Sequence, residues 1–460
     1  MTQQNTDKTP ITLLPMGRAQ WRVWAVSSME QIIGAGLSTL VGIIIPMIGL
    51  IHTRQAGLSG LMQGVVGAAG LLGIALGSPI IGKITDRHGY LFWFRICPLL
   101  ILLGSLAIIF FPSKAVLVAA LFIIGFGVGG GYTLDSDYIS ETMPEKWSLL
   151  MVGAAKATCS LGFMGVAALC WWWLEAGLQP ENWNLLFIIM AALGLLTFLM
   201  RIDWAGSPRW LMDHGRTADA REAAEKLLGP YAEVIASKEE KAEKPAKTIE
   251  LFKGKNILRV LFSGVTWACE GVGVYGVGVF LPLLIIALGI DRSEAEGLSK
   301  VINSVKMTTI INFFIIPGFI LGLLLVRRLN HGVMMTCGFI ISAIGMGLLL
   351  WAYLAHWPVW ISVAAFVMFE MALNAGPHLV TFIIPDQIYP IADRGTGDGI
   401  AAMFGKAGAI VGVFLMPMLL EAGGIRLVLI VCISVMVTGA IISGILTPIV
   451  LPSHPANRSA

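Results

Sequence analysis

The chain predicts an all-α integral membrane protein, with twelve transmembrane helices in two pseudo-symmetric six-helix bundles. Three observations carry that expectation. Of the 460 residues, 56% are hydrophobic and only 13% charged, against about 25% charged in soluble domains, and mean hydropathy is +0.80. Apolar runs of ~20 residues, long enough to cross a bilayer, recur twelve times. Short patterns also repeat at offsets near half the chain length.

The runs lie roughly at 22–51, 57–81, 91–111, 115–140, 149–174 and 185–201, then at 257–288, 299–326, 332–354, 358–389, 397–421 and 425–450. Numbered in chain order, they are spans 1 to 12. Span 1 ends in no small-residue cleavage site, so it reads as a retained first span rather than a removed signal. Residues 202–256 separate the two sets. They hold Ser207-Pro-Arg-Trp-Leu, then acidic, basic and apolar residues at helical spacing over 218–228, then a Lys/Glu-rich tract over 238–247. That pattern is expected of a short amphipathic helix on the membrane face followed by a solvated linker. The expected division is a bundle over 1–201, a cytoplasmic loop over 202–256, a second bundle over 257–450 and a tail over 451–460.

Internal similarity supports two related halves. Gly42-Ile-Ile-Ile-Pro46 recurs as Gly278-Val-Phe-Leu-Pro282, an offset of 236. Glu141-Thr-Met-Pro144 recurs as Gln387-Ile-Tyr-Pro390, an offset of 246, and the Gly82 turn corresponds to Gly322, an offset of 240. Three matches in order at similar offsets favour a duplicated six-span unit, as in many secondary transporters.

The net charge of +3 says little, but its distribution orients the chain. With an even number of spans both termini share a side, and that side carries 21 Lys and Arg, eleven of them between Arg201 and Lys255. The other side carries five: Arg54, Lys114, Arg292, Lys300 and Arg426. The positive-inside rule puts both termini and the long loop in the cytoplasm. The six cysteines all fall in spans and form no Cys-x-x-Cys pair, so they read as small buried residues rather than a metal or redox site. Nothing points to a cofactor, a metal or nucleic acid.

Asp135, Asp137, Lys156, Glu270, Lys306 and Glu370 lie inside the apolar runs. A charge in hydrocarbon costs about 2.5–3.5 kcal/mol on insertion scales, so such residues face partners, a water-filled cavity or a transported species. At ~1.5 Å per residue, Asp135 and Asp137 lie a turn or so from the inner end of span 4. Lys156 lies about two turns into span 5 from the same side. A Lys156–Asp135 or Lys156–Asp137 pair is therefore expected, either a static tie or a carboxylate whose proton or partner changes during transport. Glu270 and Glu370 lie near mid-membrane, where carrier sites sit. Lys306, nearer the outer face, either attracts an anionic group or pairs with an acid. Glu30, in the inner half of span 1, is a further proton-site candidate. Arg95 reads as a snorkelling structural cation, and Trp171, Trp172 and Trp173 as an interfacial belt.

Gly82-Lys-Ile-Thr-Asp86-Arg87-His88-Gly89 fits the Gly-x-x-x-Asp-Arg-x-Gly signature of the major facilitator superfamily, which the chain resembles over essentially its whole length. The resemblance implies an ion-paired Asp86/Arg87 turn that latches neighbouring helices. Ser207-Pro-Arg-Trp-Leu followed by Gly215-Arg216, Gly125-x-Gly-x-Gly129-Gly130 with Glu141 and Pro144, and Pro385-x-Gln387-x-Tyr389-Pro390-x-x-x-Arg394 resemble the sugar-porter branch. There Asp86, Arg87, Glu141 and Arg394 would act in conformational gating. Ser148 stands where that branch has Arg, and Gln387 where it has Glu.

Locally the chain is similar to the proton-coupled phosphate symporters, through Asn374-Ala-Gly-Pro-His378, Thr381-Phe-Ile-Ile-Pro385, Gly405-Lys406-x-Gly408-Ala409-Ile410 and Trp267-x-x-x-Gly271-x-x-x-Tyr275. Gly271 and Gly131 replace that family's two hallmark Asp residues, and His378 replaces its Asn. The resemblance implies that Trp267, Tyr275, Tyr132, Asn374 and His378 supply an aromatic wall and hydrogen bonds. Lys406 would be a structural tie to Asp386 or Asp398.

The expectation is a non-enzymatic secondary transporter of the bacterial inner membrane, working as a monomer. It would take up a small anionic or zwitterionic organic solute together with protons by alternating access. Tyr132, Lys156, Trp267, Glu270, Tyr275, Lys306, Glu370, Asn374 and His378 are the candidate solute residues, and Glu270, Asp135, Asp137 and Glu30 the candidate proton carriers. A phosphate symporter, a facilitative sugar porter and a drug or metabolite exporter are the alternatives within transport. A receptor would be expected to carry a larger cytoplasmic domain, and an enzyme a nucleophile or metal cluster.

Overall fold

The computed structural model describes residues 9–51, 58–234, 251–254, 256–289, 296–389 and 394–451. The Lys/Glu-rich tract over 238–247 lies outside them. Among the described residues, eleven helices are long and apolar enough to span a membrane: Arg18–Ile51, Gly60–His88, Leu91–Phe110, Lys114–Thr142, Glu145–Glu175, Pro180–Ile202, Asn256–Val277, Leu298–Leu325, His331–Leu354, Val359–Val380 and Thr396–Val450. The last has 55 residues, about 80 Å at 1.5 Å each, far more than a bilayer of ~30 Å requires. Gly424 breaks it, with φ +64°, a left-handed conformation that glycine adopts without steric penalty. It therefore supplies spans 11 and 12, and the expected twelve are present.

Solvation by lipid explains which faces point outward. Leu103, Leu199, Leu324, Ile344, Trp360 and Ile445 are large, apolar and exposed, while Glu30, Asp135, Arg201, Glu270, Glu370, Asn374 and His378 are buried. Backbone groups in hydrocarbon must be satisfied within the helix, so side-chain polarity turns inward, where partners exist. Five of the six cysteines are buried and Cys337 is exposed.

The described residues group into two compact units: those of Met1–Ala35, Leu72–Gly162 and Phe187–Glu240, and those of Gly36–Leu71, Phe163–Leu186 and Lys241–Ala460. In unit 1, spans 2, 3 and 4 approach through glycines. Gly73 and Gly77 meet the backbone of Phe122 and Phe126, and a Cβ on Gly129 would lie 2.4 Å from the carbonyl oxygen of Ile74. Such contacts let helices pack closely where no hydrophobic force drives them together. Helix Thr217–Leu228 buries Ala220, Ala223, Ala224 and Leu227 and exposes Arg221, Glu222 and Glu225, the alternation of an amphipathic helix. Thr9–Pro10 pairs in parallel with Ala232–Glu233, tying the start of the described chain to this segment.

In unit 2, span 7 is not a regular α-helix. Leu261–Val265 and Val272–Val277 are wide π turns flanking the α-helical Thr266–Gly271. Such turns are rare and cluster at functional sites. Span 7 lies backbone-to-backbone on span 11: a Cβ on Gly271 would fall 2.5 Å from the carbonyl of Gly405, and one on Gly408 would fall 2.3 Å from that of Ala268. Span 10 breaks at Gly376, before Pro377, because proline cannot supply the helical N–H and restricts the residue before it.

Glycine packing makes a paired prediction. Gly129→Ala forces a methyl against the Ile74 backbone and should cost about 1–3 kcal/mol. Gly165→Ala meets nothing within 4 Å and should leave stability unchanged. Thermal melts of the two variants, purified in one detergent, check the difference.

Candidate functional site

A buried charged cluster in unit 1 joins spans 1, 4 and 6. Arg201 stands in the last turn of span 6 with no solvent exposure. Its Nη1 donates to Glu30 Oε1 at 2.5 Å and its Nη2 to Asp135 Oδ1 at 2.9 Å, while Nη2 also bridges to Glu30 Oε2. The same nitrogens donate to the carbonyls of Phe94 at 3.2 Å and Val26 at 2.9 Å, and the guanidinium lies 3.6 Å from the Phe94 ring centroid. Arg201 Nε and Asp135 Oδ2 are buried without a hydrogen-bond partner.

Local sequence explains how the three meet. The first span is interrupted at Ser27–Ser28, which frees the carbonyl of Val26 for Arg201. Arg95 donates Nε to the carbonyl of Arg201 and Nη2 to that of Trp204, each at 3.1 Å, so it caps the end of span 6 that presents the guanidinium. Gly131, one turn before Asp135, is needed for space: a Cβ there would stand 2.2 Å from Glu30 Cγ. The glycine that replaces an Asp of the phosphate symporters thus makes room for the carboxylate arriving from span 1.

The expected pairing of Lys156 with Asp135 is corrected by this geometry. Arg201 takes Asp135 because its fork of donors reaches two carboxylates at once, and the Lys156 ammonium lies 5.5 Å from the Tyr132 ring centroid. Asp137 is half-buried, two residues on from Asp135 and so turned to another helix face. Gly34 leaves room for the Tyr132 hydroxyl, which would be 2.1 Å from a Cβ.

In unit 2, span 10 carries Glu370 and Asn374 one turn apart on Val359–Ala375 and His378 in the short helix Pro377–Val380 that follows the break. Asn374 Nδ2 donates to the Glu370 backbone carbonyl at 2.8 Å and to Glu370 Oε2 at 3.2 Å. His378 Nδ1 lies 2.8 Å from Asn374 Oδ1, and His378 Nε2 lies 3.7 Å from Glu270 Oε1 of span 7. All four residues are buried. Gly271, where the phosphate symporters carry Asp, has no room for a side chain against span 11, and the carboxylate stands one residue earlier at Glu270. Trp267 packs edge-on against Phe382 at 4.7 Å, and the Lys406 ammonium lies 5.5 Å from the Tyr275 ring centroid. Lys306 lies 5.7 Å from the ring centroid of Trp171.

The expected gating residues separate. Asp86 and Arg87 are exposed and form no ion pair among the described residues, as suits charges that water solvates. The turn is fastened instead by Trp210 Nε1, which donates to the Asp86 carbonyl at 3.0 Å. Glu141 accepts from Tyr90 Oη at 3.3 Å and from Ser207 Oγ. The side chain of Arg394 lies outside the described residues.

Arg201 is the site residue that sequence reasoning does not single out. It closes an apolar run, the usual place of a flanking, water-facing cation. The signal that could have found it is the pair of carboxylates, Glu30 and Asp135, that need a buried cation.

The family model described as sugar (and other) transporter matches residues 31–451. The inner membrane metabolite transport protein YgcS of Escherichia coli is 26% identical over 448 residues, covering 96% of this chain and 95% of that protein. The low affinity inorganic phosphate transporter 3 of Petunia hybrida is 26% identical over 396 residues, covering 77% and 73%. The xylose transporter XylE of E. coli, in a partially occluded inward open conformation, superposes with a TM-score of 0.75 at 16% identity, covering 92% of this chain and 97% of that one. With twelve spans, the sugar-porter motifs and a family match over nearly the whole chain, the protein belongs to the sugar (and other) transporter family of the major facilitator superfamily.

Proposed function

We propose that the protein is a proton-coupled importer of a small anionic or zwitterionic organic solute, and that the Glu30–Asp135–Arg201 cluster carries the coupled proton. One observation supports this above the rest: two carboxylates share one guanidinium in a place with no solvent exposure. With both acids ionised the cluster holds a net negative charge, and an uncompensated buried charge costs several kcal/mol. One proton restores neutrality. Asp135 is its seat, because Oδ2 lacks the donor that an ionised oxygen needs, whereas both oxygens of Glu30 are held by Arg201.

Coupling follows from that charge balance. While the cluster is closed to water the proton stays, since releasing it would leave a bare charge in low dielectric. When alternating access opens the cluster to the cytoplasm, water solvates the second carboxylate and the proton leaves. Solute chemistry is supported by the cations: Lys156 over Tyr132 in unit 1 and Lys406 over Tyr275 in unit 2 each back an ammonium with an aromatic face. Both suit a carboxylate or similar anion. A bacterial inner membrane location with cytoplasmic termini fits the basic loops and the membrane named for YgcS.

Proteoliposomes with an imposed pH gradient test the reading against a panel of organic acids, amino acids, sugars and phosphate. An organic acid or amino acid should accumulate in the wild type, and the gradient should add nothing in Asp135→Asn, which retains only downhill exchange. Accumulation indifferent to the gradient would falsify the coupling, and selective phosphate uptake would replace the solute class.

Charge balance also sets stability. Arg201→Ala leaves the Glu30 carboxylate buried without a cation and should cost about 3–5 kcal/mol. The combined Glu30→Gln, Asp135→Asn, Arg201→Met variant removes every formal charge and should recover most of that loss. Denaturation midpoints of the single and triple variants give the comparison.

A further inference from the structure

In unit 1, a cavity of about 800 Å³ is bounded by the start of span 3, the end of span 6 and the helix Thr217–Leu228. Its size falls within the ~300–1,000 Å³ of small-molecule sites. The wall has two chemistries. Phe92, Ile96 and Leu99 of span 3 and Phe198 of span 6 are apolar, and Phe92 is 64% exposed. They belong to runs that lipid solvates, so acyl chains reach this side. The other side carries Arg95, Arg216, Asp219, Glu222 and Lys226. Arg216 pairs with Asp219 at 2.7 Å, and Lys226 pairs with Asp203. Arg95 is different. It is half-buried, four residues or ~6 Å inside the start of span 3, and has no carboxylate partner among the described residues. Its Nε and Nη2 donate to the carbonyls of Arg201 and Trp204, two bonds for a group with five N–H donors. The carbonyls hold the guanidinium in place without neutralising it.

We propose that this cavity binds a monoanionic glycerophospholipid of the phosphatidylglycerol type, with its phosphodiester on Arg95 and its acyl chains along Ile96, Leu99 and Phe198. A guanidinium at the membrane boundary that receives no anion from the protein takes one from the lipid, and its planar fork matches two phosphate oxygens at once. Charge balance selects the headgroup. Outside the two ion pairs stand two cations, Arg95 and Arg22, the latter 5.4 Å from the ring centroid of the cavity-lining Trp204. Against them stands one carboxylate, Glu222, so one positive charge is left over among these groups. A lipid of net charge −1 cancels it, whereas a zwitterion brings its own cation and does not. Glu222 accepts from the headgroup hydroxyls. Because three segments form the wall, the bound lipid ties the helix Thr217–Leu228 to the ends of spans 3 and 6. This site does not rest on the proton-coupled reading above.

The test uses purified, delipidated full-length protein in a neutral detergent. Dioleoyl phosphatidylglycerol or dioleoyl phosphatidylcholine is titrated in, and bound lipid is counted by native mass spectrometry. The wild type should retain phosphatidylglycerol about fivefold more tightly, the contribution of one cation beside an anionic lipid. Arg95→Gln keeps side-chain donors without the charge and should abolish that preference. Leu99→Trp leaves Arg95 and its carbonyl bonds in place but fills the apolar side, so it should remove the tight phosphatidylglycerol site, and it keeps the test open if Arg95→Gln does not fold. Hydrogen exchange locates the effect: phosphatidylglycerol should protect residues 217–228 in the wild type and not in Leu99→Trp. Dimethyl phosphate, a monoanionic diester without chains, should not compete. Equal retention of the two lipids by the wild type overturns the site, and so does a preference that survives Arg95→Gln or tight binding unchanged in Leu99→Trp. Displacement by dimethyl phosphate overturns the lipid and assigns the cavity to a soluble anion.

Discussion

A guanidinium without solvent exposure sets the terms for the rest of unit 1. Arg201 does not deprotonate in proteins, so its charge must be met where it stands, and several kcal/mol of lost hydration must be offset locally. Two carboxylates, two carbonyls and an aromatic face surround it. Each requirement propagates outward. The first helix breaks at Ser27–Ser28 so that a carbonyl is available, and residue 131 has no side chain so that Glu30 can enter. Arg95 secures the carbonyls at the end of the helix that carries the charge. One long cation thus links spans 1, 3, 4 and 6 through polar contacts rather than apolar area, as expected where lipid supplies no hydrophobic force between helices.

The fold was legible because lipid makes membrane segments conspicuous: a run of ~20 apolar residues is rarely anything but a span. Spans 11 and 12 were separable in sequence, although their helices run together until the turn at Gly424. The candidate charges were legible for the complementary reason, since an acid or base in such a run stands out against its neighbours. Pairing was not. Lys156 and Asp135 match in depth, but depth does not fix direction around a helix, and Arg201 hid at the end of a run where a cation attracts no notice. Only the fold shows that span 6 brings that residue back between spans 1 and 4. The two glycines in place of aspartates read in sequence as losses of chemistry. In three dimensions Gly131 admits Glu30, and Gly271 admits the backbone of span 11, so each is a steric condition for a neighbouring carboxylate.

Corresponding places in the two units meet similar needs with different chemistry. At the exit of span 4, Glu141 receives hydroxyl donors from Tyr90 and Ser207. At the matching position after span 10, Gln387 faces His331, whose Nε2 donates to the carbonyl of Val326 at 2.9 Å and whose Nδ1 meets the Gln387 amide, 2.6 Å from Nε2 and 2.9 Å from Oε1. The buried clusters differ in the same sense. Unit 1 surrounds a permanent cation, whereas unit 2 runs a chain of amide, imidazole and carboxyl groups whose charge depends on where protons sit. A fixed charge can be neutralised but not removed, so Arg201 needs a carboxylate beside it wherever the cluster is closed to water. A chain of amide, imidazole and carboxyl groups carries no permanent positive charge of its own. The first arrangement suits a lock that opens only when water enters. The second suits a site that adjusts its charge to what it holds.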